Sequence, residues 1–227
     1  MSLGVHTTRV AKKLEWFGLT IVKRYLSKSS VIKDVHADPH YFRKGVDLMV
    51  ERPTSFSIDL KVDSYIGSDR ERRIRGMCNP DSGMILLEVI SQLQYDRTKA
   101  DVRGWFFTSE ADEVFYYFLA LLNDPRDLGI LYARYRDAVA AEKSTSDIED
   151  ELIRALRVDN DLLIAFNLEK ARKWYAEVGS GLPVSWSGAS NPTYVTVSRR
   201  IPRDAFLEPK GPGRYIGRVY QQISASV

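Results

Sequence analysis

Apolar positions recur at intervals of three and four over residues 7–27, where Val10, Leu14, Phe17, Ile21 and Tyr25 form one stripe. That spacing predicts an amphipathic helix, with Lys12, Lys13, Lys23 and Arg24 off the stripe. The period then drops to two. Over 46–63, Val46, Leu48 and Val50 alternate with polar residues, and Phe56, Ile58, Leu60 and Val62 do the same, predicting a β-hairpin with Pro53 in its turn. Runs at 84–90 and 104–108 read as mostly buried strands. Residues 112–123 are apolar nearly all round and predict a buried helix ended by Asn123-Asp124-Pro125. Two acidic, Ala-rich helices follow at about 127–143 and 147–157, the second opened by a capping box from Ser146 to Glu149. A strand at 162–166, a helix at 168–178 stopped by Gly179, a loop at 179–192 and a strand at 194–198 complete the pattern. Strands and helices interleave without repeats or an obvious linker. The expectation is one α/β domain over residues 1–227, with residues 125–158 as a helical insertion on it.

Composition narrows the class. Of 227 residues, 44% are apolar and 11% aromatic, too many for a disordered chain and enough for a sizeable core. Cys78 is the only cysteine, which rules out an intramolecular disulfide and any multi-cysteine zinc site and fits a reducing cytoplasm. No apolar run approaches the length that crosses a bilayer, so no membrane partner is expected. The net charge of +3 is a cancellation. Residues 1–50 hold nine Lys and Arg against four Asp and Glu, whereas residues 101–150 hold five against eleven. Arg70, Arg72, Arg73 and Arg75 fall within one short stretch and are candidates for phosphate recognition through their forked donors, with a solvated loop as the bland alternative.

The hairpin carries the sharpest chemistry. Pairing Val50 with Phe56, Leu48 with Ile58 and Val46 with Leu60 makes the apolar faces coincide, and a slip of one residue would not. This register sets Asp47 opposite Asp59 on the other face, with Lys61 two residues further along the same side. Like charges directly opposed are destabilising, so a compensating group is expected. A hard divalent cation fits, since Mg²⁺ is commonly held by one or two carboxylates together with water and phosphate oxygens. Lys61 beside it could position or deprotonate a water or stabilise developing negative charge. The competing reading is a solvated polar face on which Lys61 simply offsets the acids.

Gly45-Val46-Asp47-Leu48-Met49-Val50 followed by Ser57-Ile58-Asp59-Leu60-Lys61 resembles the core of the PD-(D/E)XK nuclease superfamily, the restriction-endonuclease-like fold. There an Asp begins a strand, the next antiparallel strand carries Asp/Glu-x-Lys, and the preceding helix often supplies a Glu, here Glu15. Lys61-Val62-Asp63, Ser82-Gly83 with Glu88 beyond, and Gly104 through Asp112 are similar to a small, often phage-associated branch, covering about residues 10–120. Val46 stands where the motif has proline, Asp59 where Glu is more frequent, and helices 127–157 have no counterpart. The resemblance implies a mixed central sheet flanked by helices. It also implies Mg²⁺- or Mn²⁺-dependent cleavage of nucleic acid, most readily DNA, with Asp47, Asp59 and Glu88 near the metal and Lys61 catalytic. Many nucleases of this fold form homodimers to cut both strands. The alternative is a nuclease fold that has lost catalysis and binds nucleic acid or protein.

Other residues add less. Glu15 flanks the helix stripe and reads equally as a solvated acid, whereas Glu88 interrupts an apolar strand where a buried carboxylate needs a partner. Asp112 reads as the cap of the helix expected at 112–123. Arg199, Arg200, Arg203, Lys210 and Arg214 are weaker phosphate candidates, and His36 and His40 read as ordinary loop residues.

Overall fold

The structure is a computed structural model that describes residues 4–52, 54–66, 81–187 and 193–224, with side chains from Val10 onward. In chain order the elements are α1 (Gly4–Leu26), β1 (Val31–Asp34), α2 (Pro39–Lys44), β2 (Leu48–Arg52), β3 (Phe56–Asp63), β4 (Met84–Gln94), β5 (Val102–Arg103), α3 (Trp105–Thr108) and β6 (Glu113–Leu121). They continue with α4 (Gly129–Ala140), α5 (Ser146–Ala155), β7 (Val158–Asn167), α6 (Leu168–Glu177), β8 (Val184–Ser187), β9 (Tyr194–Pro202), α7 (Arg203–Leu207), β10 (Gly213–Gly217) and α8 (Tyr220–Ser224). The fold is mixed α/β. A six-stranded mixed sheet runs β1-β2-β3-β6-β7-β10, with β3 and β6 parallel and its other neighbours antiparallel. A second sheet, β5-β4-β9-β8, is antiparallel throughout.

Three layers result, because both faces of the six-stranded sheet are covered. One face buries Leu48, Ile58, Leu60, Tyr117 and Leu119 under Phe17 and Ile21 of α1, and α4, α5 and α8 add Leu131, Tyr135, Leu152, Ile153 and Ile223. The other face buries Tyr116, Phe118 and Phe166 against Ile85 and Leu87 of β4, Phe106 of α3 and Phe206 of α7. Each large apolar side chain so removed from water contributes about 1.5–3 kcal/mol.

Several expectations fail here, the first two for a common reason. Residues 112–123 hold strand β6, not a buried helix, because a central strand sandwiched on both faces is as uniformly apolar as a buried helix. Asp112 therefore caps no helix; its carboxylate accepts from the Ser57 amide at 2.8 Å and hydroxyl at 2.7 Å, fastening β3 to β6. Residues 104–108 form the helical turn α3 instead of a strand. Residues 179–192, expected to be loop, include β8, an edge strand. The acidic helices form as α4 and α5, and Thr145 rather than Ser146 sits at the N-cap of α5.

Candidate catalytic cleft

The hairpin register is the expected one for two of the three pairs: Leu48 faces Ile58 and Val50 faces Phe56, whereas Val46 lies ahead of β2 and packs with Val35 and Ala111, apart from the cluster that holds Leu60. β3 then outruns β2, and its residues 59–63 keep β6 on one side only. Asp47, just ahead of β2, fills the gap. Its amide donates to the Ile58 carbonyl at 2.8 Å, and its Oδ2 accepts from the Leu60 amide at 2.8 Å, so it brackets Asp59. Alternation along β3 turns Asp59, Lys61 and Asp63 toward the second sheet, on the side of Val114, Tyr116 and Phe118 of β6.

That placement removes the solvated-face reading. Asp59 is only 1% exposed, and its Oδ2 receives no hydrogen bond among the described residues. Lys61 Nζ lies 2.6 Å from Asp59 Oδ1 as an ion pair, with the lysine 28% exposed. Asp161 shows what a satisfied buried carboxylate looks like in the same sheet. At 2% exposure, its Oδ2 accepts from the Tyr117 hydroxyl and from the Val219 and Tyr220 amides at 2.8–3.0 Å. Asp161 is structural, pinning α8 to the sheet, whereas Asp59 is left with unused acceptor capacity.

A cavity of about 520 Å³ opens at this point, and Glu15, Asp47, Lys61 and Glu88 all line it. Two close approaches bring them together. Gly18 lets α1 sit on β3: a Cβ there would come well under 3.0 Å from the Val62 side chain. Gly104 lets α3 sit on β4, where a Cβ would collide with the Glu88 carbonyl. The α3 approach also aims the Trp105 amide at Glu88 Oε1, at 3.4 Å, and sets the Trp105 ring 4.9 Å from Lys61 Nζ.

The electrostatics follow from crowding acids into a partly closed space. Burial, and then the charge of Asp59, push the Asp47 carboxyl up to about 6, against the pull of Lys61, the Leu60 amide and His36. Partial desolvation against the cleft wall also raises Glu15, and Lys61 and Lys12 pull it back. For Lys61, burial works against the ammonium, but Asp59, Asp47 and Glu88 outweigh it and keep the proton on Nζ. Among the described residues no three His, Cys, Asp or Glu side chains converge as a finished metal cluster. Asp47 and Asp59 nevertheless fit a hard divalent cation, which needs only one or two carboxylates beside water and phosphate oxygens. Of the two, Asp47 lines the cavity and Asp59 does not; Asp59 lies buried beside it with the Lys61 ammonium on its Oδ1.

Sequence reasoning missed His36. Its Nδ1 lies 2.6 Å from Asp34 Oδ1 and its Nε2 3.0 Å from the Tyr135 hydroxyl, and it lines the cleft with Trp16, Tyr132 and Tyr135. No local pattern signals a contact made 99 residues away. Arg70, Arg72, Arg73 and Arg75, and Cys78, lie outside the described residues. Three of the weaker arginine candidates have structural partners: Arg199 meets the Leu182 carbonyl and Tyr175, Arg203 meets Asp81, and Arg214 meets Glu113. Compared with protein-family models, with curated proteins and with solved structures, the chain finds no match.

Proposed function

We propose that this protein is a metal-dependent nuclease that hydrolyses phosphodiester bonds of nucleic acid, DNA first, on a restriction-endonuclease-like core. The observation that carries this reading is the buried Asp59, short of hydrogen-bond donors, ion-paired to Lys61 at the wall of a cleft that Lys61, Asp47, Glu15 and Glu88 line. A buried carboxylate costs several kcal/mol unless paired or coordinated, and one lysine leaves two acids sharing a single counter-charge. Asp47 and Asp59 would hold Mg²⁺ or Mn²⁺, with Glu88 and Glu15 assisting from the walls. The cation would polarise the scissile phosphate and acidify a bound water. The Lys61 ammonium orients the attacking water and meets the negative charge that develops on the phosphorus oxygens.

Purified protein given plasmid, linear and single-stranded DNA and RNA should cut only with Mg²⁺ or Mn²⁺. Asp59→Asn and Asp47→Asn should lose that activity. Absence of cleavage on every substrate, or cutting that both variants retain, overturns the reading. The Lys61–Asp59 contact at 2.6 Å supports one rival, a binding module in which lysine has replaced the metal. Saturable Mn²⁺ binding that Asp59→Asn abolishes decides for the nuclease.

A further inference from the structure

We propose that the cleft accepts its polynucleotide unpaired, with a base stacked on the Phe42 ring at the lip, so that single strands are the preferred substrate class. This rests on the nuclease reading of the same cleft. Phe42 lines the cavity yet leaves 73% of its surface exposed, and none of the ring contacts among the described residues involves it. A single exposed Phe is common on protein surfaces. This one sits five residues ahead of Asp47, on a lip whose conformation is held at both ends. Asp38 Oδ1 accepts from the His40 amide at 2.8 Å at the start of α2, and Gly45 closes it in the left-handed conformation. Tyr41, next along α2, packs against the small cluster of Val35, Val46 and Ala111. The backbone at Phe42 is thus fixed relative to the carboxylates, and the exposed Arg43 beside it can meet a backbone phosphate.

A second, independent observation lies on the inner wall. Trp16 is 4% exposed and stacks on Tyr135 at 4.7 Å, and its indole N–H has no acceptor among the described residues. Leaving such a donor unmet costs about 1–3 kcal/mol, so this wall of the cleft carries a polar group that the described residues do not satisfy. In a duplex both faces of each base are already stacked, so an exposed aromatic ring gains nothing from it. An unpaired base offers its π face whatever the sequence, and such stacking is worth about 1–3 kcal/mol per base. The acids repel phosphate, so affinity has to come from rings and cations.

The test is fluorescence anisotropy of the wild-type chain in EDTA, where no cutting occurs, with labelled single-stranded DNA, single-stranded RNA, the matching duplex and a strand of abasic sites. The single strands should bind more tightly than duplex or abasic strand. Phe42→Ala should weaken them by about 5- to 150-fold, the stacking energy converted to affinity, and Phe42→Trp should restore binding. Phe42 is exposed, so neither change threatens folding. Equal or tighter duplex binding, or single-strand binding unchanged in Phe42→Ala, overturns the proposal. Its failure is separable from failure of the nuclease reading: metal-dependent cutting with duplex preference sinks only the former, and Phe42-dependent strand binding without any cutting sinks only the latter. The DNA and RNA arms identify which strand is taken.

Discussion

Lys61 Nζ stands 2.6 Å from Asp59 Oδ1, and the two side chains share the face of β3 that the second sheet covers. The pair is the one counter-charge that this strand supplies to its own buried acid.

Removing the lysine should therefore expose the cost of that acid. Lys61→Met is expected to lose about 3 kcal/mol or more in urea unfolding without metal, since breaking a buried pair leaves a charge uncompensated. Mn²⁺ should recover more of the midpoint in the variant than in the wild type. A variant as stable as wild type in EDTA would show that Asp59 is not held as a carboxylate.

Asp59 and Asp161 should separate stability from activity. Asp59→Asn removes one charge of the buried pair but leaves the Lys61 ammonium facing Asp47 and Glu88, so it is expected to cost less stability than Lys61→Met while losing cleavage. Asp161→Ala strands the Tyr117 hydroxyl and two amides, and is expected to cost about 3–5 kcal/mol. Urea midpoints and Mg²⁺-dependent cutting read both effects; the reverse pattern would exchange the roles of the two acids.

The two close approaches predict steric lesions at a distance from the acids. Gly18→Ala drives a methyl into Val62, and Gly104→Ala drives one into backbone at Glu88. Overpacking of this kind costs about 1–3 kcal/mol. Gly104→Ala should also weaken Mn²⁺ binding in calorimetry, because the rigid Glu88 backbone has to shift. Unchanged midpoints in both variants would contradict the packing described.

The Asp34–His36 pair predicts a stability optimum in mildly acidic solution. Burial opposes the charged form of Asp34, but the His36 hydrogen bond and the Lys23 ammonium hold its carboxyl at about 2. With the folded value below the unfolded one, its contribution of about 2 kcal/mol is full above pH 3.8 and is lost as pH falls toward 2. For His36, burial opposes the imidazolium, but Asp34 raises it above 6.5, so that contribution is full below 6.5 and fades as pH rises through the folded value. Urea midpoints at about pH 3, 5.5 and 8 should peak in the middle, and Asp34→Asn should flatten the profile. A wild-type profile as flat as the variant's would refute the coupling.

How the chain reads depends on the range of the interaction. Alternation in two neighbouring strands was enough to set the pairing of Leu48 with Ile58 and Val50 with Phe56, and with it the common side of Asp47, Asp59 and Lys61. That inference is local, because a slip would expose every apolar residue of the hairpin. The stripe of α1 was legible because it is one-sided, and α4 and α5 were legible from their acidic, Ala-rich composition. β6 was not: covered on both faces, it loses the polar half of its period and imitates a buried helix. Whether the polar face of the hairpin meets water could not be read from the hairpin itself. It is decided by β4 and β9, which close over it from more than twenty residues away, and they turn an ordinary acid-x-lysine strand into a cleft. The convergence of Glu15, Glu88, His36 and Trp16 on that cleft is likewise tertiary. It depends on Gly18 and Gly104 admitting close backbone contact and on α4 bringing Tyr135 to His36, neither of which leaves a periodic trace. The sequence by itself determined which chemistry faces which way; the packing of the layers decided that this chemistry is buried, concentrated and paired with an aromatic rim.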